Sequence, residues 1–208
     1  MSSDPTSAPD RLPPARGSAR RAEILDAAVD RASAFGLDGL TIGSLAKTLE
    51  MSKSGLFAHF GSKEKLQIAA IEWEAQRFEK KIAAQAGHQE RGLARLRALV
   101  EAWTEHVESG GLSGGCFFAA TSAEFGHRPG PVRDRLAELL KAWLASLSEE
   151  ARVAIERGEL PADMDGEQLA FELHAYVQEA NWSRGILSDA SAFDRARCAT
   201  ERALRIDS

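Results

Sequence analysis

The sequence predicts an all-α fold of about nine helices, with an N-terminal three-helix helix-turn-helix head and a C-terminal helical body. Three observations carry this: apolar residues recur at three- and four-residue spacing, cap and stop residues fall between those stripes, and no segment has the pattern of a strand. At 208 residues, 44% apolar, the chain suits one helical body or a small head joined to a larger one. Only two cysteines occur, Cys116 and Cys198, and no apolar run is long enough for a bilayer or a secretory signal. The expectation is a cytoplasmic protein with no membrane association.

Residues 1–18, rich in Ser, Pro and Ala, read as a disordered basic arm, because Pro5, Pro9, Pro13 and Pro14 oppose regular helix. Arg11, Arg16, Arg20 and Arg21 lie along it. Such an arm is either a solubilising tail or a strand of cations that follows a nucleic-acid backbone or enters a minor groove. The head is then expected over 19–66 and the body over 67–208.

The first helix carries Ile24, Leu25, Ala28, Val29, Ala32 and Phe35 on one stripe and stops at Gly36. Thr41 is placed to cap a short second helix with Ile42, Leu45, Ala46 and Leu49 on one side. A tight turn at Glu50–Met51 and a cap at Ser52 open a third helix from Lys53 to about Phe60. Two short helices joined by so few residues form a helix-turn-helix pattern. Ser62 caps a fourth helix of about twenty residues, with Ile68, Ile71, Phe78 and Ile82 inward, which bridges head and body.

The body continues with a helix over about 90–109 (Leu93, Leu96, Val100, Trp103, Val107), a glycine break at 110–115, and a short helix through 116–125. Pro131 opens the next, which carries Leu136, Leu140, Trp143 and Leu147 and ends at Gly158. A capping box, Asp165 with Gln168, starts a helix to about Leu187, and Ser191 with Asp194 starts the last, to about Ile206.

Net charge is −5, but unevenly spread. Between Arg11 and Lys65 nine Lys/Arg face six Asp/Glu, whereas from Leu66 onward seventeen basic residues face twenty-three acidic ones. A basic head on an acidic body points modestly toward nucleic acid.

The third helix is unusual for a helix that only folds. Gly55 costs about 1 kcal/mol in a helix interior relative to Ala. With Leu56 and Phe60 turned to the core, Ser54, Gly55 and Ala58 leave an outer face bare enough to enter a major groove, with Lys53, Phe57 and His59 flanking it. Lys63 sits in the first turn of a helix, where a cation opposes the macrodipole unless a phosphate lies beside it. The amides and hydroxyl at Thr41 are likewise suited to phosphate. Taken singly, each of these residues is an ordinary surface group; their joint spacing carries the reading.

The segments Thr41-Ile42-Gly43-Ser44-Leu45-Ala46 and Met51-Ser52-Lys53-Ser54-Gly55-Leu56-Phe57-Ala58-His59-Phe60-Gly61-Ser62-Lys63-Glu64 resemble the DNA-binding signature of the TetR (tetracycline-repressor-like) family. The resemblance covers residues 20–66 and implies that Thr41, Lys53, Gly55, Phe57, His59 and Lys63 lie at or near double-stranded DNA. Phe57 stands where the family commonly has Tyr, which removes a hydroxyl. Glu50 stands where it usually has Gly in the turn, which implies left-handed strain of about 1 kcal/mol or an altered turn. Further on, 115–120 and 128–133 are similar to a segment of one branch of the family. The resemblance also implies a homodimer whose last two helices form a four-helix bundle across a twofold axis. The expected function is therefore a dimeric transcriptional repressor, released from a palindromic operator by a small-molecule effector.

An effector pocket is expected inside the body, where Trp103, His106, Phe117, Phe118, Trp143, Phe171 and His174 come from several helices and suit a flat or apolar molecule. Each alone is ordinary core. Cys116 has apolar neighbours that should raise its thiol pKa and leave it inert. Phosphate-cradling glycine loops, paired His or Cys ligand spacings and a nucleophile elbow are all missing from the sequence, so no catalytic residue, cofactor or metal is expected. A helical adaptor that binds only protein is the other alternative, and Gly55 and Lys63 speak against it.

Overall fold

The computed structural model describes residues 14–205, with side chains from residue 17 onward. Among these it contains nine α-helices: α1 (Pro14–Phe35), α2 (Ile42–Thr48), α3 (Lys53–Phe60), α4 (Lys63–Ala86), α5 (Leu93–Glu108), α6 (Phe117–Phe125), α7 (Pro131–Glu156), α8 (Gly166–Leu187) and α9 (Ala192–Ala203). No strand occurs among the described residues. No described helix is long and apolar enough to cross a membrane.

The helix starts follow their local chemistry. Thr41 Oγ1 accepts the Ser44 N–H at 3.0 Å while the Ser44 hydroxyl accepts the Thr41 N–H, a reciprocal box. Ser52 accepts the Gly55 N–H at 3.0 Å and Ser62 the Lys65 N–H at 3.1 Å. Asp165 accepts the N–H groups of Glu167 and Gln168, but the Gln168 amide turns to Glu172, so that cap is one-sided. Ser191 does not cap α9, because its hydroxyl donates to Asp189 instead.

Two boundaries and one side chain depart from expectation. The first helix begins at Pro14, well before Gly17, because a proline is tolerated at the first helical position, where its missing N–H is not needed. Arg11 and the prolines before Pro14 lie outside the described residues, as does the Arg16 side chain. Helix α9 stops at Ala203, with Arg205 in a left-handed conformation, and Ile206 lies outside the described residues. Phe35, placed on the buried stripe of α1, is instead 67% exposed, with the Arg31 guanidinium over its ring.

Two apolar cores result. The first gathers Ile24 and Val29 of α1, Leu45 of α2, Leu56 and Phe60 of α3, and Leu66 and Ile71 of α4. It also takes Phe117 and Phe125 from α6 and Val132 and Leu136 from α7, so body helices complete the head's core. The second joins Ile82 of α4 to α5, the later part of α7, α8 and α9 through Leu96, Trp103, Leu147, Leu173 and Phe193. Helix α4 therefore belongs to both. Its flank is tied to α1, where the Trp73 indole and Arg77 both donate to Asp26, and to α7, where Arg135 pairs with Glu72.

Candidate functional site

Helix α3 holds itself against the head with Leu56 and Phe60, both buried, and turns Lys53, Ser54, Phe57 and Ala58 to solvent. Phe57 is 52% exposed, a large apolar ring turned to solvent. With Ile42 and Gly43 of α2 these residues line a shallow groove. A Cβ at Gly43 would stand 3.3 Å from Cε of Lys53, so the lysine stem lies directly over this glycine. No ion pair among the described residues engages Lys53. The face thus offers a cation, a hydroxyl, a ring and a methyl, with small side chains between them.

Other predicted residues are more committed than expected. Gly55 is half-buried, and a Cβ there would stand 3.0 Å from the Ser52 hydroxyl that caps the helix. The Thr41 hydroxyl is engaged with Ser44. His59 is half-buried in the last turn of α3, and its carbonyl accepts from Arg21 at 3.2 Å. Arg21 also lies 4.5 Å over the Phe60 ring, and Arg20 donates to the Leu49 carbonyl at 3.1 Å. These two arginines, assigned to the arm from sequence, belong to α1 and satisfy carbonyls at the C-terminal ends of α2 and α3, where a cation is favoured.

Lys63 answers the opposing macrodipole inside the protein. Its Nζ donates to the Asp38 carbonyl at 2.8 Å and to the Asp38 carboxylate at 3.1 Å. Arg128, from the turn between α6 and α7, pairs with the same carboxylate. Arg128 and then Lys63 hold the Asp38 carboxyl below its ordinary value. Glu50, in the turn before α3, has φ +52°, the left-handed conformation that the family's Gly would adopt without strain.

In the body a cavity of about 550 Å³ opens between α4, α5, α6, α7 and α8. Five predicted residues line it: Trp103, His106, Phe118, Trp143 and His174. Their rings meet edge to face, Trp103 with Trp143 at 5.5 Å between centroids, while His174 stacks on Trp103 at 5.1 Å. Phe117 and Phe171 do not belong to it. Phe117 is 2% exposed and packs into the head's core, and Phe171 is 62% exposed on the outside of α8. Phe78, which touches Trp143, Phe118 and His106, and Gln178 are wall residues that the sequence reading left out. Phe78 was legible as an inward residue of α4; Gln178, polar on α8, carried no signal.

The cavity is electrically quiet. Burial, with the nearby cations of Lys81 and Arg77, pushes His106 down to about 4, and burial lowers His174 as well. His106 Nε2 lies 3.7 Å from the carboxyl of Glu74, which is 2% exposed and raised mainly by desolvation. Cys116 is in the wall, its thiol pushed up by burial. The Trp143 indole N–H is buried with no acceptor among the described residues.

Comparison with known proteins follows this division of the chain. Residues 24–70 match the family described as bacterial regulatory proteins, tetR family, and residues 92–200 match the tetracyclin repressor-like C-terminal domain. No curated protein sequence matches the chain. Among solved structures, a TetR transcriptional regulator from Chloroflexus aurantiacus aligns with TM-score 0.84 at 22% identity, over 93% of this chain and 98% of its own. One from Cytophaga hutchinsonii gives 0.79 at 17% identity over 96% and 100%, and one from Streptomyces coelicolor 0.76 at 21% over 90% and 95%. Those likenesses are of fold. The two family matches cover the helix-turn-helix head and most of the body, and by them the chain belongs to the TetR family of non-enzymatic, DNA-binding transcriptional regulators.

Proposed function

We propose that the protein is a cytoplasmic homodimeric repressor that grips a palindromic operator with two copies of α3 and leaves it when a small apolar or aromatic effector enters the body cavity. In this reading residues 1–18 are a basic arm, 19–66 the DNA-binding head, and 67–208 the effector-binding and dimerisation body. The two recognition helices sit one helical turn of DNA apart, about 34–36 Å. One observation carries the DNA contact: the outer face of α3 pairs Lys53, a cation with no ion pair among the described residues, with the small residues Ser54 and Ala58 and the exposed ring of Phe57. Small side chains let a helix sink into a major groove, and the flanking groups then reach base edges and phosphates.

Dimerisation is supported by Phe171, Trp182 and Ile186, which recur on one side of α8 and are 62%, 57% and 75% exposed. Release is supported by α4, which shares both cores and so tilts when the cavity widens. The test is electrophoretic retention of fragments selected from genomic DNA, compared with the Ala58→Leu variant. Retention by the parent chain, lost in Ala58→Leu at an unchanged melting temperature, is expected. Equal retention by both places the DNA contact elsewhere.

A further inference from the structure

We infer that the cavity selects an uncharged, flat aromatic molecule carrying an acceptor oxygen, such as an aryl ketone or ester, with that oxygen taking the Trp143 indole N–H. The inference rests on reading the cavity as an effector site, and it names the effector's chemistry. Three features of the wall lead to it.

First, the rings leave room for a plane. Trp143 is held edge-on by Phe78 at 5.2 Å and by Trp103 at 5.5 Å, and Trp103 already stacks on His174. A flat ligand inserted among them gains stacked and edge-to-face contact on both sides.

Second, the rings and imidazoles of the wall offer no full charge to an ion. Both imidazoles are neutral at physiological pH, so neither meets a carboxylate with a full charge. Of the charged wall residues, Arg95 keeps its charge but turns Nε and Nη2 to the Gln89 carbonyl at 3.0 and 2.6 Å, and Glu79 is exposed to solvent. A cationic ligand fares no better. Glu74, behind His106, is driven toward its neutral form by burial, and the other charges facing His106 are the cations Lys81 and Arg77. Taking an ion out of water without a partner is strongly unfavourable.

Third, one donor is waiting. The Trp143 Nε1–H is buried and has no acceptor among the described residues, an arrangement that is unfavourable in the free protein and is relieved when an acceptor arrives. A ligand that parts Trp143 from its neighbours uncovers that N–H as it enters.

The test uses four naphthalenes of similar shape on the full chain without DNA: 2-acetylnaphthalene, 2-isopropenylnaphthalene, 2-naphthoate and 2-naphthylmethylammonium. Affinity is read by calorimetry. The ketone should bind about tenfold more tightly than the hydrocarbon and at least tenfold more tightly than either ion. Trp143→Phe should bring the ketone down to the hydrocarbon's affinity while changing the hydrocarbon's by less than threefold. Tighter binding of either ion, no binding by the ketone, or a ketone preference that survives Trp143→Phe overturns the inference. If that variant fails to fold, the ranking of the four probes on the parent chain still decides. Because no DNA is present, this result is independent of whether the protein holds an operator.

Discussion

Glu124, on α6 of the body, accepts the backbone N–H of Leu37 in the head at 2.7 Å, and its other oxygen accepts the N–H of Asp38 at 2.9 Å. One carboxylate thereby organises the loop between α1 and α2 from outside the head. Helix α6 faces two ways. Cys116, Phe118 and Ser122 line the cavity, while Phe117 and Phe125 fill the head's core. A displacement of α6 by a ligand therefore reaches the head without passing through α4.

The first expectation is that Glu124→Ala destabilises the protein by about 2 kcal/mol, because two amides lose a charged acceptor. Glu124→Gln should recover part of this through its remaining carbonyl oxygen. Denaturant midpoints of the three chains check it. A loss below about 0.5 kcal/mol in Glu124→Ala would mean that water replaces the carboxylate freely.

Glu50 gives a change in the opposite direction. It holds φ +52° in the turn between α2 and α3. Glycine occupies that region without the steric cost that a Cβ brings, so Glu50→Gly should stabilise the chain by about 1 kcal/mol, or raise the melting temperature by roughly 2–4 °C. Calorimetric melting checks it, and an unchanged or lower value refutes the strain.

The strained turn was visible in the sequence because turn chemistry is local. The caps at Thr41, Ser52 and Ser62 were legible for the same reason, and with the helical stripes they define most helix boundaries. What depended on neighbours was less so. Phe117 and Phe118 are adjacent on α6, and a helix turns about 100° between them, so one enters the head's core and the other the cavity. Nothing within the segment decides which. Phe171 and His174 divide similarly between the outside of α8 and the cavity. Lys63 was anomalous in sequence, but its partner Asp38 lies 25 residues away and emerges only in three dimensions.

That pairing distinguishes two lysines that look alike in sequence. Lys53 has no ion-pair partner among the described residues, whereas Lys63 is held by Asp38. Neutralising a phosphate releases a counterion only if the cation is free to do so. Lys53→Ala should lower the slope of log affinity against log salt by about one, and Lys63→Ala by less than half of that. Binding titrations at four salt concentrations separate the two, and equal slopes would show that Lys63 leaves Asp38 when DNA arrives.

His106 should be visible in acid. The unfolded chain protonates this imidazole near 6.5 and the folded chain only near 4, so acidification through that interval favours unfolding. Its side chain is 21% exposed, and the contribution amounts to about 3 kcal/mol at the low end. Glu74 works the other way: its carboxyl, raised by burial, binds its proton more readily in the folded state, so its contribution falls as pH rises. The other shifted groups, among them Glu74, His174 and Asp38, are common to the parent chain and a His106 variant and largely cancel in their difference. The stability of the parent chain relative to His106→Phe should therefore fall by about 1–3 kcal/mol between pH 7 and pH 4.5. A pH-independent difference would mean that the imidazole is open to water.

The last expectation concerns the outside of α8. Phe171, Trp182 and Ile186 are separated by eleven and four residues, close to whole turns of a helix, so they share a stripe. All three are more than half exposed in the single chain. In a twofold dimer every residue of such a stripe enters the interface twice. Burying a large apolar side chain is worth about 1.5–3 kcal/mol, so Trp182→Arg acts on both copies and should weaken association by about 3–6 kcal/mol. That is roughly a hundred- to ten-thousand-fold in the dimer constant. Sedimentation at micromolar concentration should show a dimer for the parent chain and a monomer for Trp182→Arg. Helicity and melting of the separated monomer should change little, because Trp182 lies outside both cores. Operator retention should fall with dimerisation, since a single α3 reaches only one half-site. A Trp182→Arg chain that remains dimeric would exclude this stripe as the interface, and one that is monomeric yet retains the operator normally would show that the two heads bind without each other.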